Sequence, residues 1–133
     1  TTTGTFTATA TASDPAGASA SASKTITASA AAVADTTPPA KPVISSVAST
    51  GVSGTLSVTW KANTETDLSY YYVVRYDSVT GYTGVGTYSK STTKLTDSGL
   101  VNGRTYYYRV RAYDTTGNAS AWSDYKYATP FAP

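Results

Sequence analysis

The sequence predicts an all-β protein, a β-sandwich carrying an extra β-hairpin at its N-terminus. Three observations carry this. Apolar residues recur at every second position, and no apolar period of about 3.6 residues survives anywhere in the chain. Short β-branched and aromatic runs alternate with turn residues. A proline-rich stretch, ADTTPPAKP at 34 to 42, cannot sit in a central strand and reads as a stiff linker between a thin first part and a heavier second part.

The first part, residues 1–36, reads as a hairpin plus the start of the linker. Phe6, Ala8, Ala10 and Ala12 share one face, and Thr5, Thr7, Thr9 and Thr11 the other. Asp14-Pro15-Ala16-Gly17 is a turn, because an Asp side chain bonds nearby backbone and Gly accepts positive φ. The return strand puts Ala20, Ala22, Ile26 and Ala28 together, and Lys24 interrupts them, which predicts a bulge or an exposed edge. A two-stranded hairpin is marginal in water. An alanine face weakens it further, since a buried methyl contributes only about 0.8 kcal/mol. The hairpin is therefore expected to pair with something: upstream strands, the following domain or another copy.

The second part, residues 37–133, holds larger side chains. Strands are predicted at Val43 to Val47, in GTLSVTW (54 to 60), in LSYYYVVRYD (68 to 77), within 91 to 100, in RTYYYRVRAYD (104 to 114) and within 120 to 130. The Gly-punctuated TGYTGVGTYS reads as a short edge strand or a loop. Seven short strands in this span indicate a sandwich. Leu56, Val58, Trp60, Tyr71, Val73, Leu95, Leu100, Tyr106, Tyr108 and Val110 are expected to form its core. An internal repeat links the two parts. With Asp14 set over Asp114, Phe6 falls on Tyr106, Ala10 on Val110, Ala12 on Ala112 and Gly17 on Gly117. The N-terminal piece therefore reads as the last hairpin of a second sandwich.

Composition excludes several functions. The chain has no Cys and no His, so disulfides, thiolate metal sites and Ser-His or Cys-His catalysis are ruled out. A net charge of +2 is too small and scattered for a nucleic-acid or polybasic membrane surface. No apolar run approaches the roughly 20 residues of a membrane span. Charged residues make up 14% against about a quarter usually, with Thr and Ser supplying the polarity, as expected of an extracellular or cell-surface β-protein. Starting at Thr1 without Met or a signal peptide, the chain is expected to be a mature secreted protein or an excerpt.

Four carboxylates in turns or linkers, Asp14, Asp35, Glu65 and Asp67, are candidate calcium ligands, since calcium collects about six to eight oxygens from such loops. Their spacing matches no calcium-loop motif, and Asp equally serves turns and solvation. No other cofactor is indicated. If Tyr106, Tyr108 and Val110 point inward, Tyr107, Arg109, Arg111 and Tyr113 point outward, and Tyr72, Val74 and Tyr76 join them from the neighbouring strand. Tyr and Arg are enriched at interfaces, so this face is a candidate binding surface for protein or carbohydrate. Aromatic cross-strand pairs also simply stabilise sheets. Phe6, Ala8, Ala10 and Ile26 form a second candidate interface on the hairpin. Asn118-Ala119-Ser120 is a glycosylation sequon in a predicted turn.

Several residues in order resemble a fibronectin type III domain over 37–130: Pro42 after TTPP, Trp60 ending LSVTW, TDLSYYYVVRY, and LVNGRTYYYRVRAYD with its Leu, Gly, Tyr, Arg-Val and Ala spacing. The resemblance implies that Leu100 is buried and that the Tyr106 hydroxyl bonds backbone a few residues upstream. TATATASDPAG is similar to the end of a bacterial Ig-like domain. The implied function is a non-enzymatic extracellular structural or adhesive module. It would be a subunit of a surface filament, which a complete chain starting at Thr1 favours, or part of a tandem-domain surface protein. In either, the hairpin completes a neighbouring β-sandwich by strand addition. The alternative is a spacer or accessory module of a secreted carbohydrate-active enzyme. Expected partners are other copies or neighbouring Ig-like or fibronectin type III domains, and carbohydrate.

Overall fold

Two antiparallel strands of eleven residues each, β1 (Thr3–Ser13) and β2 (Ser19–Ser29), form the N-terminal hairpin. The computed structural model describes residues 3–29 and 32–131 and divides into two units, Thr1–Asp35 and Thr36–Pro133. Pairing in the hairpin runs unbroken from Thr3–Ser29 to Ser13–Ser19. Lys24 is therefore in register opposite Ala8: of the bulge and the exposed edge that its interruption suggested, the exposed position is the one found. Its long polar side chain is accommodated because it is exposed. Cross-strand partners share a face. Phe6–Ile26, Ala8–Lys24, Ala10–Ala22 and Ala12–Ala20 line one side, and Thr and Ser pairs line the other. On the hydroxyl side, Thr9–Ser23 and Thr11–Ser21 are hydrogen-bonded at 3.0 Å. On the apolar side, Phe6 is 66% and Ile26 55% exposed. Asp14 closes the turn: its Oδ1 accepts the N–H groups of Ala16 and Ala18, both at 2.9 Å.

The second unit has seven strands: β3 (Ile44–Ser49), β4 (Leu56–Trp60), β5 (Leu68–Asp77), β6 (Gly81–Ser89), β7 (Lys94–Asp97), β8 (Tyr106–Asp114) and β9 (Lys126–Ala128). They form a three-stranded sheet, β3-β4-β7, and a four-stranded sheet, β6-β5-β8-β9, all antiparallel. Their inner faces enclose one core of Ile44, Leu56, Val58, Trp60, Leu68, Tyr71, Val73, Leu95, Leu100, Tyr106, Tyr108, Val110 and Ala112. Fully burying one such large side chain contributes about 1.5–3 kcal/mol. Trp60 and Tyr71 meet edge to face with centroids 5.5 Å apart.

A buried tyrosine needs a partner for its hydroxyl. Tyr71 Oη accepts the Asn63 N–H at 2.7 Å. Tyr106 Oη accepts the Val101 N–H at 3.0 Å, the backbone bond that the family resemblance implied. Tyr108 Oη donates to Asp97 Oδ2 at 2.8 Å.

Three elements differ from the sequence-based expectation. The first strand buries Ile44 and leaves Val43 53% exposed, because a register shift between Ile44 and Ser46 sets Ile44 opposite Trp60. The Gly-rich segment takes the edge-strand alternative but is longer than expected, the nine-residue β6. Its glycines serve close packing: a Cβ on Gly84 would stand 2.5 Å from the Tyr72 hydroxyl. The final segment is strand only at Lys126–Ala128. Upstream, Ser120 and Ser123 take over the edge of β8. Their backbone N–H groups donate to the carbonyls of Ala112 and Val110, and their hydroxyls accept the N–H groups of the same two residues at 2.9 and 3.0 Å.

Candidate functional site

The outer face of the four-stranded sheet follows from β alternation. With Tyr71 and Val73 inward, β5 presents Tyr70, Tyr72, Val74 and Tyr76 outward, and the register sets them against Tyr113, Arg111, Arg109 and Tyr107 of β8. All of the Tyr/Arg candidates thus come together on one surface. Tyr70 and Tyr113 stack at 4.7 Å with planes 11° apart. Val74, opposite Arg109, is only 8% exposed.

Besides Tyr70, four aromatic residues outside the candidate set complete the face. Tyr82 pairs with Tyr76 across β5–β6, Tyr127 pairs with Tyr107 across β8–β9, and Trp122 and Tyr125 come from the segment before β9. The Arg109 guanidinium lies over three of these rings, 4.9 Å from Tyr82, 4.5 Å from Trp122 and 5.3 Å from Tyr125. A cation–π contact at so exposed a site is worth about 0.5–1 kcal/mol. Arg111 shares Trp122 at 5.5 Å and also covers Tyr113 at 5.7 Å; its Nε donates to the Ser120 carbonyl at 2.7 Å. The Tyr82 and Tyr125 hydroxyls join at 2.6 Å. This bond, and secondarily burial, raises Tyr125 above the ordinary tyrosine pKa.

Beside the caged arginine, Tyr76, Tyr82, Tyr107 and Tyr125 line an open groove of about 230 Å³. Tyr76 contacts both Tyr82 and Tyr107, at 5.1 and 6.2 Å between centroids, and Tyr107 meets Tyr125 edge to face at 6.5 Å. The rings remain solvent-accessible, with Tyr82 60% exposed. The sequence signal for Tyr82 was masked by the surrounding glycines. That for Trp122 and Tyr125 was masked because their segment does not alternate.

On the hairpin, Phe6, Ala8, Ala10 and Ile26 share the apolar face described above. Of the carboxylates, Asp14 and Asp35 belong to the N-terminal unit and Glu65 and Asp67 to the sandwich. Asp14 serves its own turn. Glu65 Oε1 accepts the Ala40 N–H at 2.6 Å; burial would raise its pKa, but this bond and others from nearby N–H groups outweigh it and lower the value. The Asp67 carbonyl accepts the Thr115 N–H at 2.9 Å. The Asn118 amide lies within the β8 turn, where Nδ2 donates to Asp114 Oδ2 at 2.8 Å and to Thr116 at 2.9 Å. Attaching a glycan there would cost at least one of these bonds, since only one Nδ2 hydrogen would remain.

The buried carboxylates are all engaged. Asp77 accepts bonds from Val79, Thr80 and Arg104. Asp114 Oδ1 accepts the N–H groups of Thr116 and Asn118 at 2.9 and 2.8 Å. Asp97 takes Arg75 Nη1 on both oxygens, at 2.9 and 2.8 Å, in addition to Tyr108.

No protein-family model matches the chain. It is 40% identical over 89 residues to Exoglucanase B of Cellulomonas fimi, covering 67% of this chain but only 8% of that protein's length. Among solved structures, a Fn3-like protein from Clostridium thermocellum superposes with a TM-score of 0.57 at 28% identity, covering 73% of this chain and 96% of that one. A fibronectin type III domain of the human KIAA0970 protein gives a TM-score of 0.53 at 18% identity, over 73% of this chain and 75% of its own. No helix long and apolar enough to cross a membrane occurs among the described residues.

Proposed function

Because its sandwich has the fibronectin type III fold, we propose that this chain is a non-catalytic accessory module of a secreted, multidomain carbohydrate-active protein. The observation that carries the proposal is the 40% identity to Exoglucanase B over a segment that is 8% of that protein. So small a share of an exoglucanase fits a spacer or positioning module rather than the part that cleaves the chain. The site chemistry agrees. Glycoside hydrolysis uses two carboxyl groups free to face a sugar, whereas Asp77, Asp97 and Asp114 each spend their oxygens on structural bonds.

The hairpin fits the same picture. Its Phe6/Ala8/Ala10/Ala12 face stands where Tyr106, Tyr108, Val110 and Ala112 stand on β8, and those four are buried by a facing sheet. The hairpin then completes a neighbouring β-sandwich in a tandem array. A surface filament subunit would use it the same way, but the similarity to an exoglucanase favours the accessory module. The test is a hydrolysis assay of the purified chain on soluble β-glucans, run beside negative-stain electron microscopy. Single particles without turnover are expected. Turnover would make the chain an enzyme, and regular fibres would restore the filament.

A further inference from the structure

We propose that the groove between Tyr76, Tyr82, Tyr107 and Tyr125 binds a neutral pyranose ring of a polysaccharide. A spacer needs no binding site, so this goes beyond the function proposed above and stands on different observations. The groove's size, about 230 Å³, is below the range of pockets that enclose drug-sized ligands and suits a single sugar ring lying in an open cleft. Its lining offers two kinds of contact. Aromatic faces accept the apolar C–H face of a pyranose, and phenol hydroxyls at the rim can donate to or accept from the sugar's hydroxyl edge.

Charge selects the ligand class. No carboxylate lines the groove. The cation behind it, half-buried Arg109, is already engaged: its guanidinium lies over three rings at 4.5–5.3 Å. A guanidinium engaged in this way is not offered to an acidic ligand. The same arrangement braces the walls. The Tyr82–Tyr125 hydroxyl bond, 2.6 Å, ties the edge strand β6 to the segment before β9, so these two rings are fixed relative to one another before any ligand arrives. A site preorganised in this way loses less entropy on binding.

The geometry fits sugar better than a protein partner. A stable protein interface buries roughly 800 Å² per partner around a desolvated centre, whereas these four rings form one cleft of about 230 Å³.

The experiment is affinity electrophoresis of the whole chain in native gels containing hydroxyethylcellulose, a soluble neutral β-glucan, with polygalacturonate gels in parallel. Retardation is expected in the neutral gel only, weakened about tenfold by Tyr82→Ala and by Tyr107→Ala. Tyr70→Ala, on the same face but outside the groove, should leave it unchanged. Tyr82 is on an edge strand and exposed, so its variant decides the matter should Tyr107→Ala fail to fold, as judged by its melting curve. Absence of retardation in the neutral gel, retardation only by polygalacturonate, or equal loss on Tyr70→Ala would each overturn the proposal. None of these outcomes bears on whether the chain is a non-catalytic module.

Discussion

Asp14 and Asp114 hold the same turn through the same four bonds from backbone N–H groups. In each, the Asp N–H donates to the carbonyl four residues on, and the Gly N–H three residues on donates back to the Asp carbonyl. In each, Oδ1 accepts the N–H groups of the second and fourth following residues. Gly17 and Gly117 have φ of 87° and 91°. The repeat read from the sequence is thus a repeat of local structure, and it aligns the apolar face of the hairpin with the core face of β8.

The glycines make this testable. An L-residue in the left-handed region costs about 1–2 kcal/mol, and nothing lies within 4 Å of a Cβ placed on either glycine, so the cost is purely of the backbone. Gly117→Ala should lower sandwich stability by about that amount in urea unfolding followed by the fluorescence of Trp60 and Trp122. Gly17→Ala should leave that transition in place. An equal shift for both would show that the two units unfold together.

Inside the sandwich, Arg75, Asp97 and Tyr108 form a charged cluster next to the core. The side chains of Arg75 and Asp97 are 22% and 8% exposed. Burial acts to lower the Arg75 pKa, but the hydrogen bonds and charge of Asp97 outweigh it and raise the value. Asp97→Ala leaves a partly buried cation and an unpaired phenol, and should cost about 3 kcal/mol. Tyr108→Phe removes one bond and should cost about 1–2 kcal/mol. Urea midpoints of both single variants and the double variant test this. The double should cost less than the sum, because both bonds end on Asp97.

Much of this architecture is legible in the sequence. Alternation located β5 and β8 and their inward residues, because a two-residue period cannot place Tyr106, Tyr108 and Val110 inside without placing Tyr107, Arg109 and Arg111 outside. Tyr82 was not readable, because its strand is built around Gly84 and Gly86, whose missing side chains leave no alternation. Nor were Trp122 and Tyr125, carried by a segment that replaces strand pairing with the Ser120 and Ser123 hydroxyls. The candidate face was therefore seen, but the groove within it needed residues from two segments that periodicity does not mark.

Alkaline pH should separate the tyrosines. Burial raises Tyr71; burial and the Asp97 charge raise Tyr88; burial and the hydrogen bond to Asp97 push Tyr108 well above the ordinary tyrosine value. A group whose folded pKa exceeds its unfolded one stabilises the fold fully below the unfolded pKa, near 10, and loses that contribution as pH rises through the folded value. Stability should thus fall above about pH 10. Phenolate absorbance should rise with a late phase coinciding with loss of the folded circular dichroism signal. A single early phase covering all 12 tyrosines would contradict this.

Acid should act through Asp77 and Asp114. The hydrogen bond from Thr80 is the largest influence on Asp77 and, with backbone N–H donors and Arg104, lowers its pKa despite burial. For Asp114, burial acts to raise the value, but donors from Asn118 and Thr116 outweigh it. A depressed carboxylate stabilises the fold above its unfolded pKa and loses this as pH falls through the folded value. Thermal midpoints should hold steady down to about pH 4 and then decline. Asp114→Asn should flatten that decline while lowering the midpoint at neutral pH. An unchanged acid profile would remove Asp114 from this role.

The hairpin supplies the last prediction. Two strands with Phe6 and Ile26 exposed and alanines between them bury too little to be stable alone. In the isolated chain, amides across Thr5–Ala12 should exchange with hardly any protection, while those of Val73 and Val110 in the sandwich core are strongly protected. Phe6→Asp should leave the sandwich's thermal midpoint unchanged and abolish any docking of the hairpin onto added β-sandwich domains. If the hairpin amides become protected as chain concentration rises, and Phe6→Asp removes that protection, the covering strands come from another copy. Protection independent of concentration would instead mean that the hairpin is already covered within its own chain, and the tandem-array role assigned to it would fail.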